Sequence, residues 1–277
     1  MAAIPSMKQN TGAFIPAIGL GTAPSEFTPE CIADSERWFL TALQAGYRHF
    51  DTAYMYGTEP YVEEAFVTTK LPWHHPKYVA RSFDESLHKL GLDYVDPYLL
   101  HYPQTVEYPS NLGELFLDVK ALDTLNDTWA ELEGLHASRR ARAIGVSNFS
   151  IKTLEQLFKT AKIVLAVNQV EMHPYLVQTE LLEYCRTEGI VFRSDPTIVA
   201  LAEKYKVTPT QIILSWHLAR GVVALPKSAN MYFWLPLLTS SVENVARVTG
   251  LYRNERIAVK LFLDEELLGW TAEQYGW

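Results

Sequence analysis

Asp51, Tyr56, Lys70 and His101 are four residues whose types and order could place a proton on a carbonyl oxygen. A phenol, with an ordinary pKa of about 10, is a poor acid at neutral pH. A neighbouring ammonium stabilises the phenolate and makes the phenol a better acid. On this reading Tyr56 is the acid and Lys70 supplies the charge. Asp51 keeps Lys70 ionised and in place, and His101 orients the substrate oxygen, each within hydrogen-bond reach. Any one of the four alone reads as an ordinary core or surface residue. Their succession at the ends of consecutive β-prone runs is what points to chemistry.

The elements around them must bring those ends together. Residues 47–51 form a β-prone run that ends in Asp51, and Tyr56-Gly57 follows before a short helix expected over 59–65. Strands are expected over 17–22, 47–51, 66–71, 94–101, 143–147, 164–172, 189–192 and 222–227. Between them fall helices over 28–46 (Thr28 as N-cap, Pro29 at the first position, Gly46 as the stop), 76–90, 151–160, 178–188, 196–206 and 208–220, with another capped by Asn126. Pro97 interrupts the fourth strand, where a central strand needs its N–H. Eight strands alternating with helices, with no domain break, predict a single α/β domain over 1–277, a (β/α)8 TIM barrel. In that fold consecutive strand ends are neighbours on one face. The runner-up is an open doubly wound sheet. It is disfavoured because Ala17-Ile-Gly-Leu-Gly-Thr22 lacks the third glycine of a dinucleotide turn, with Pro24 standing there.

The bulk composition agrees with an enzyme. A length of 277 residues is close to the roughly 250 of a barrel. Hydrophobic residues make up 48% and charged ones 20%, which argues against disorder. A net charge of −8 leaves no basic footprint for nucleic acid. Neither a signal peptide nor an apolar run of about 20 residues is present, so a cytoplasmic protein without a membrane span is expected. Cys31 and Cys185 read as reduced packing residues, and no metal site is expected. A metal-dependent hydrolase reading of His74-His75 is disfavoured, because adjacent residues on a loop or helix do not share a face.

The chain resembles the aldo-keto reductase superfamily nearly end to end. The matching text is Gly-Tyr-Arg-His-Phe-Asp-Thr-Ala-x-x-Tyr-Gly-x-Glu at 46–59, Thr-Lys-Leu at 69–71, Leu-Leu-His-Tyr-Pro at 99–103, Ile-Gly-Val-Ser-Asn-Phe at 144–149, Val-Asn-Gln-Val-Glu-Met-His-Pro at 167–174 and Pro-Lys-Ser at 226–228. Fungal members of the glycerol dehydrogenase and glyceraldehyde reductase group are similar at 70–76, 253–256 and 269–277. The resemblance implies reduction of small aldehydes or ketones with NADPH, hydride coming from the nicotinamide, in a protein that is commonly a monomer. It gives Tyr56, Asp51, Lys70 and His101 the roles argued above. It places Ser147, Asn148 and Gln169 on the nicotinamide carboxamide, with Gly21 and Thr22 lining the same pocket. Lys227 and Ser228 would meet the 2′-phosphate of NADP, with Asn230 nearby. Ser147 and Asn148 also read as an N-cap pair for the next helix, and the two readings can hold together.

The chain departs from the family in blocks. Only 14 positions separate Tyr56 from Lys70, and Phe192 runs directly into Arg193-Ser194-Asp195-Pro196, so the loops after strands two and seven are shortened. The nicotinamide-stacking Tyr and the loop over the pyrophosphate are missing. The apolar run Met231-Tyr-Phe-Trp-Leu-Pro236 stands where an Arg-x-x-Glu-Asn run would hold the adenine end. Ala23 and Tyr102 occupy positions where tryptophan is usual. The competing expectation is therefore a catalytically impaired nucleotide-binding or scaffold relative.

Overall fold

The computed structural model describes residues 4–24, 26–62, 65–73, 75, 78–104, 122–187, 191–194, 209–226, 242–256 and 271–277. An antiparallel hairpin comes first, β1 (Ser6–Lys8) against β2 (Phe14–Pro16). Eight short strands then pair in parallel, each with the next in chain order. They are β3 (Leu20–Gly21), β4 (His49–Asp51), β5 (Phe66–Leu71), β6 (Val95–Leu100), β7 (Ala141–Ser147), β8 (Val167–Gln169), β9 (Val191–Ser194) and β10 (Val222–Ala224). The two ends of this sheet also meet. Gly19 N–H donates to Ala224 O at 2.9 Å, Ala224 N–H to Ala17 O at 2.9 Å, and Gly21 N–H to Pro226 O at 3.0 Å.

Side-chain alternation sorts the strands' residues into two cores. Leu99, Ala143, Val167, Val223 and Leu225 pack together with Ile15 of the hairpin. The larger cluster, including Phe50, Tyr98 and Ile144, meets the helices. Gly145 has to be glycine, because a Cβ there would lie 2.5 Å from Val167 O and 2.8 Å from Leu99 Cδ2. Helix α3 (Val79–Leu90) illustrates the outer layer: Val79, Ser82, Phe83, Ser86, Leu87 and Leu90 form its buried stripe, and Gly91 at φ 65° ends it. Among the described residues no helix is long and apolar enough to cross a membrane.

Four expectations change. The helix expected over 28–46 has its Thr28 cap and its Gly46 stop at φ 99°, but it divides into α1 (Pro29–Ala33) and α2 (Ser35–Ala45). The division falls at Asp34, whose N–H reaches the carbonyls of both Glu30 and Ile32. The helix expected over 59–65 is a single 3₁₀ turn, Glu59–Tyr61. The turn ends because Val62 is extended at φ −80°, ψ 121°. Asn126 is not a cap: it lies inside α4 (Leu122–Ala137) and donates to Gln156 O of α5 (Ile151–Phe158) and to Thr160 Oγ1 just after it. Pro97 does not break its strand. The ladder from β6 to β5 is registered only from Tyr98 onward, and Val67 N–H donates instead to Asp96 Oδ2 at 2.9 Å.

Candidate active site

Strand ends bring the four chemical residues together. Asp51 ends β4, Lys70 is the penultimate residue of β5, and His101 follows β6, its N–H donating to Leu71 O at 3.2 Å. Tyr56 closes a 3₁₀ turn (Tyr54–Tyr56), after which Gly57 takes φ 70°. The Lys70 ammonium is fully buried; it donates to Asp51 Oδ2 at 2.9 Å and to Thr52 O at 2.8 Å. It also stands over the Tyr56 ring, 5.2 Å from the centroid. Tyr56 meets His101 edge-on, with ring centroids 5.8 Å apart.

His101 is buried, with Tyr102 stacked on it at 5.1 Å and Trp73 against it at 5.9 Å. Burial, then the Lys70 charge, holds its pKa well below the usual imidazole range. It is therefore neutral at physiological pH and able to donate one ring N–H. The backbone beside it is fixed from the next strand, since Asn148 Nδ2 donates to His101 O at 2.9 Å.

The residues read as a nicotinamide cradle also converge. Ser147 Oγ donates to Gln169 O at 2.9 Å, and Asn148, in the left-handed region at φ 64°, donates through Nδ2 to Ser147 Oγ at 3.2 Å. The capping alternative for this pair does not hold, because Ser150 and Thr153 form the capping box of α5 (Ile151–Phe158). Gln169 Nε2 donates to Asp51 Oδ2 at 3.0 Å, the same oxygen that Lys70 uses. A carboxylate can only accept, so the amide orientation is determined and Gln169 Oε1 points elsewhere. That Oε1 is buried and has no hydrogen-bond partner among the described residues. Gly21 pairs with Asp51 in register, and Thr22 is completely buried behind it, donating through N–H and Oγ1 to Asp51 O at 3.0 Å each. Lys227, Ser228 and Asn230 lie outside the described residues.

Some members of the site were not singled out from the sequence. Thr58 Oγ1 shares hydrogen bonds with Thr22 Oγ1 at 3.1 Å and Thr52 Oγ1 at 3.0 Å, pinning the turn that carries Tyr56. Glu59, completely buried, accepts from Thr69 Oγ1 at 2.7 Å, and burial raises its pKa despite Lys89 and Lys70 nearby. The available signal was position, since Thr58 and Glu59 directly follow Tyr56-Gly57 and Thr69 precedes Lys70.

A parallel α/β sheet with an ion-paired lysine beneath a tyrosine and a neutral histidine defines a class, and sequence comparison agrees. The chain belongs to the aldo/keto reductase family, whose profile matches residues 17–194. It is 41% identical over 261 positions to glycerol 2-dehydrogenase (NADP(+)) of Saccharomyces cerevisiae, covering 80% of this chain and 81% of that protein. It is 35% identical over 265 positions to aldehyde reductase YPR1 of the same yeast, covering 81% and 82%. With human aldo-keto reductase family 1 member A1 the identity is 33% over 303 positions, covering 91% and 90%. Those 303 aligned positions exceed the 277 residues present, so the alignment opens gaps in this chain.

Proposed function

We propose that this protein is an NADP(H)-dependent oxidoreductase that reduces small aldehydes or ketones, of glyceraldehyde or glycerol type, to alcohols with Tyr56 as general acid. The observation that carries the reading is the Lys70 ammonium, excluded from water and held between Asp51 and the Tyr56 ring. A cation there favours the phenolate left after the proton is given up, and the low-dielectric setting strengthens that effect. Neutral His101 can donate to the carbonyl oxygen and orient it. When bound, the cofactor would supply the hydride.

The residues at the carboxamide end suit such a cofactor. Gln169 Oε1, buried without a partner among the described residues, offers an acceptor to an amide N–H. Ser147 and Asn148 stand beside it, and Gly21 and Thr22 are assigned to the wall of the same pocket. Lys227, Ser228 and Asn230 are assigned to the 2′-phosphate. NADP rather than NAD is taken from the yeast relative's name. The hydrogen bonds joining both ends of the sheet support a closed (β/α)8 barrel, a single domain over 1–277.

The competing reading is a cofactor-binding relative without turnover, favoured by the gaps in the human alignment. One experiment separates the two. NADPH oxidation with DL-glyceraldehyde is expected for the wild type and is expected to fall by about 100-fold or more in Tyr56→Phe. A wild-type rate indistinguishable from that of Tyr56→Phe would end the reductase reading.

A further inference from the structure

Helix α3 carries a charged ladder that reaches the segment around Tyr56. Arg81, Glu85 and Lys89 follow one another at four-residue spacing, which sets them one above the next on a single face. Arg81 Nε donates to Glu85 Oε1 at 2.9 Å, and Tyr54 OH donates to the other oxygen, Oε2, at 2.8 Å. Lys89 Nζ stands 3.6 Å over the centroid of the Tyr54 ring. The same ammonium lies 3.9 Å from Glu59 Oε2.

Tyr54 and Glu59 bracket the acid. Tyr54 opens the 3₁₀ turn that Tyr56 closes, and Tyr56 N–H donates to Ala53 O at 2.9 Å. Glu59 opens the next 3₁₀ turn, on the far side of Gly57. Single 3₁₀ turns have poorer hydrogen-bond geometry than an α-helix, so the segment gains from restraint at both ends. One cation on a neighbouring helix supplies it, touching the chain two residues before Tyr56 and three residues after. The connection runs on to the lysine of the site: Glu59 Oε1 accepts from Thr69 Oγ1 at 2.7 Å, and Thr69 directly precedes Lys70 in β5. The Lys89 side chain is itself 35% exposed, so replacing it opens no cavity in the core.

We propose that Lys89 is a positioning residue: by holding Tyr54 and Glu59 it fixes the turn that presents the Tyr56 hydroxyl. The inference rests on the reductase reading and deepens it, because it places part of the control over the acid on an outer helix.

The test measures KM for DL-glyceraldehyde and, at saturating aldehyde, the single-turnover rate of NADPH oxidation, in which product release plays no part. It compares wild type, Lys89→Met, Lys89→Arg, Tyr54→Leu and the double variant Lys89→Met with Tyr54→Leu. Lys89→Met should lower the single-turnover rate roughly fivefold and change KM less than about twofold, because a small displacement of the acid acts on the chemical step rather than on binding. Lys89→Arg keeps a cation over the ring and should retain at least about half of the wild-type rate. Tyr54→Leu removes the ring face and should match Lys89→Met, and the double variant should lose no more than about twofold beyond either single one. Lys89→Gln, also uncharged, carries the same expectation if the methionine variant folds poorly. A wild-type rate in both Lys89→Met and Lys89→Gln overturns this inference alone. So does a loss in Lys89→Arg equal to that in Lys89→Met, or a double variant whose losses multiply. Failure of the wild type to reduce the aldehyde overturns the reductase reading, and this inference with it.

Discussion

Asp51→Asn and Lys70→Met, alone and together, form the cycle that tests whether the buried ion pair governs both stability and chemistry. At 2.9 Å, with an effective dielectric constant of 20, two unit charges attract by about 6 kcal/mol. Most of that attraction offsets the desolvation of an ammonium that is completely buried and a carboxylate that nearly is. Asp51→Asn keeps the size and one acceptor but leaves Lys70 facing Thr52 O and an amide. Breaking a buried pair in this way is expected to cost about 3–5 kcal/mol, and Lys70→Met a similar amount through the stranded carboxylate. Gln169 would still donate to that carboxylate, which moderates the second loss. The double variant, with neither charge, should lose several kcal/mol less than the two single losses added together. Urea unfolding midpoints at neutral pH give all three numbers. In parallel, kcat/KM should fall by at least about 100-fold in each single variant and no further in the double, because Lys70→Met removes the cation beside Tyr56 and Asp51→Asn removes the carboxylate that keeps that cation ionised and in place. Additivity within about 0.5 kcal/mol in stability, or multiplicative losses in kcat/KM, would refute the coupling.

Two further outcomes follow from the fold. Gly145→Ala drives a methyl against Val167 O, a backbone atom that cannot swing away, and should cost about 1–3 kcal/mol or more by denaturant unfolding; a loss below about 0.5 kcal/mol would contradict the close approach. His101 and His217 both have pKa values held well below the ordinary imidazole range, in each case by burial first and then by a neighbouring cation, Lys70 and Arg220 respectively. The unfolded chain, with ordinary histidines near about 6.5, binds protons that the folded chain refuses, so stability is full above that pH and declines by about 1.4 kcal/mol per unit per histidine as pH falls below it. Glu59 and Asp96, whose pKa values burial raises, act in the opposite direction above the ordinary carboxylate range and offset part of the loss there. A His217→Leu variant should show about half the decline between pH 6.5 and 5.5 in urea midpoints; equal declines would remove His217 from the account.

The strand ends were legible because a parallel α/β chain repeats a local pattern, and Asp51, Lys70 and His101 each sit where a β-prone run stops. What local pattern could not reveal are contacts made across the sequence. Asn126 looks like a cap because short polar side chains favour that position, yet its partners are Gln156 and Thr160, 30 and 34 residues away. Gln104 and Tyr275, whose side chains hydrogen-bond, are 171 residues apart and share no motif. Pro97 looked like a broken strand because its missing N–H is visible in the sequence, whereas the ladder to β5 that starts only at Tyr98, and the Asp96 carboxylate that accepts from Val67 N–H, are visible only in three dimensions.

The short crossing from β4 to β5 suggests a Tyr56 turn with too little helix behind it. The structure resolves this with polar anchors in place of apolar helix packing. Thr58 bonds to Thr22 and Thr52, Glu59 to Thr69, and Tyr54 OH donates to Glu85 at 2.8 Å while Lys89 lies 3.6 Å over the Tyr54 ring. At about 1 kcal/mol net for each hydrogen bond, these anchors outweigh the closure entropy separating a short connection from one twice as long, about 0.6 kcal/mol. Three of them, through Thr22, Thr52 and Thr69, end on residues next to the site's own strand ends. The turn is thus referenced to the same strands that carry Asp51 and Lys70. A displacement of β4 against β5 would change the distances among phenol, ammonium and carboxylate, which are set by the register of the two strands rather than by the length of the loop between them.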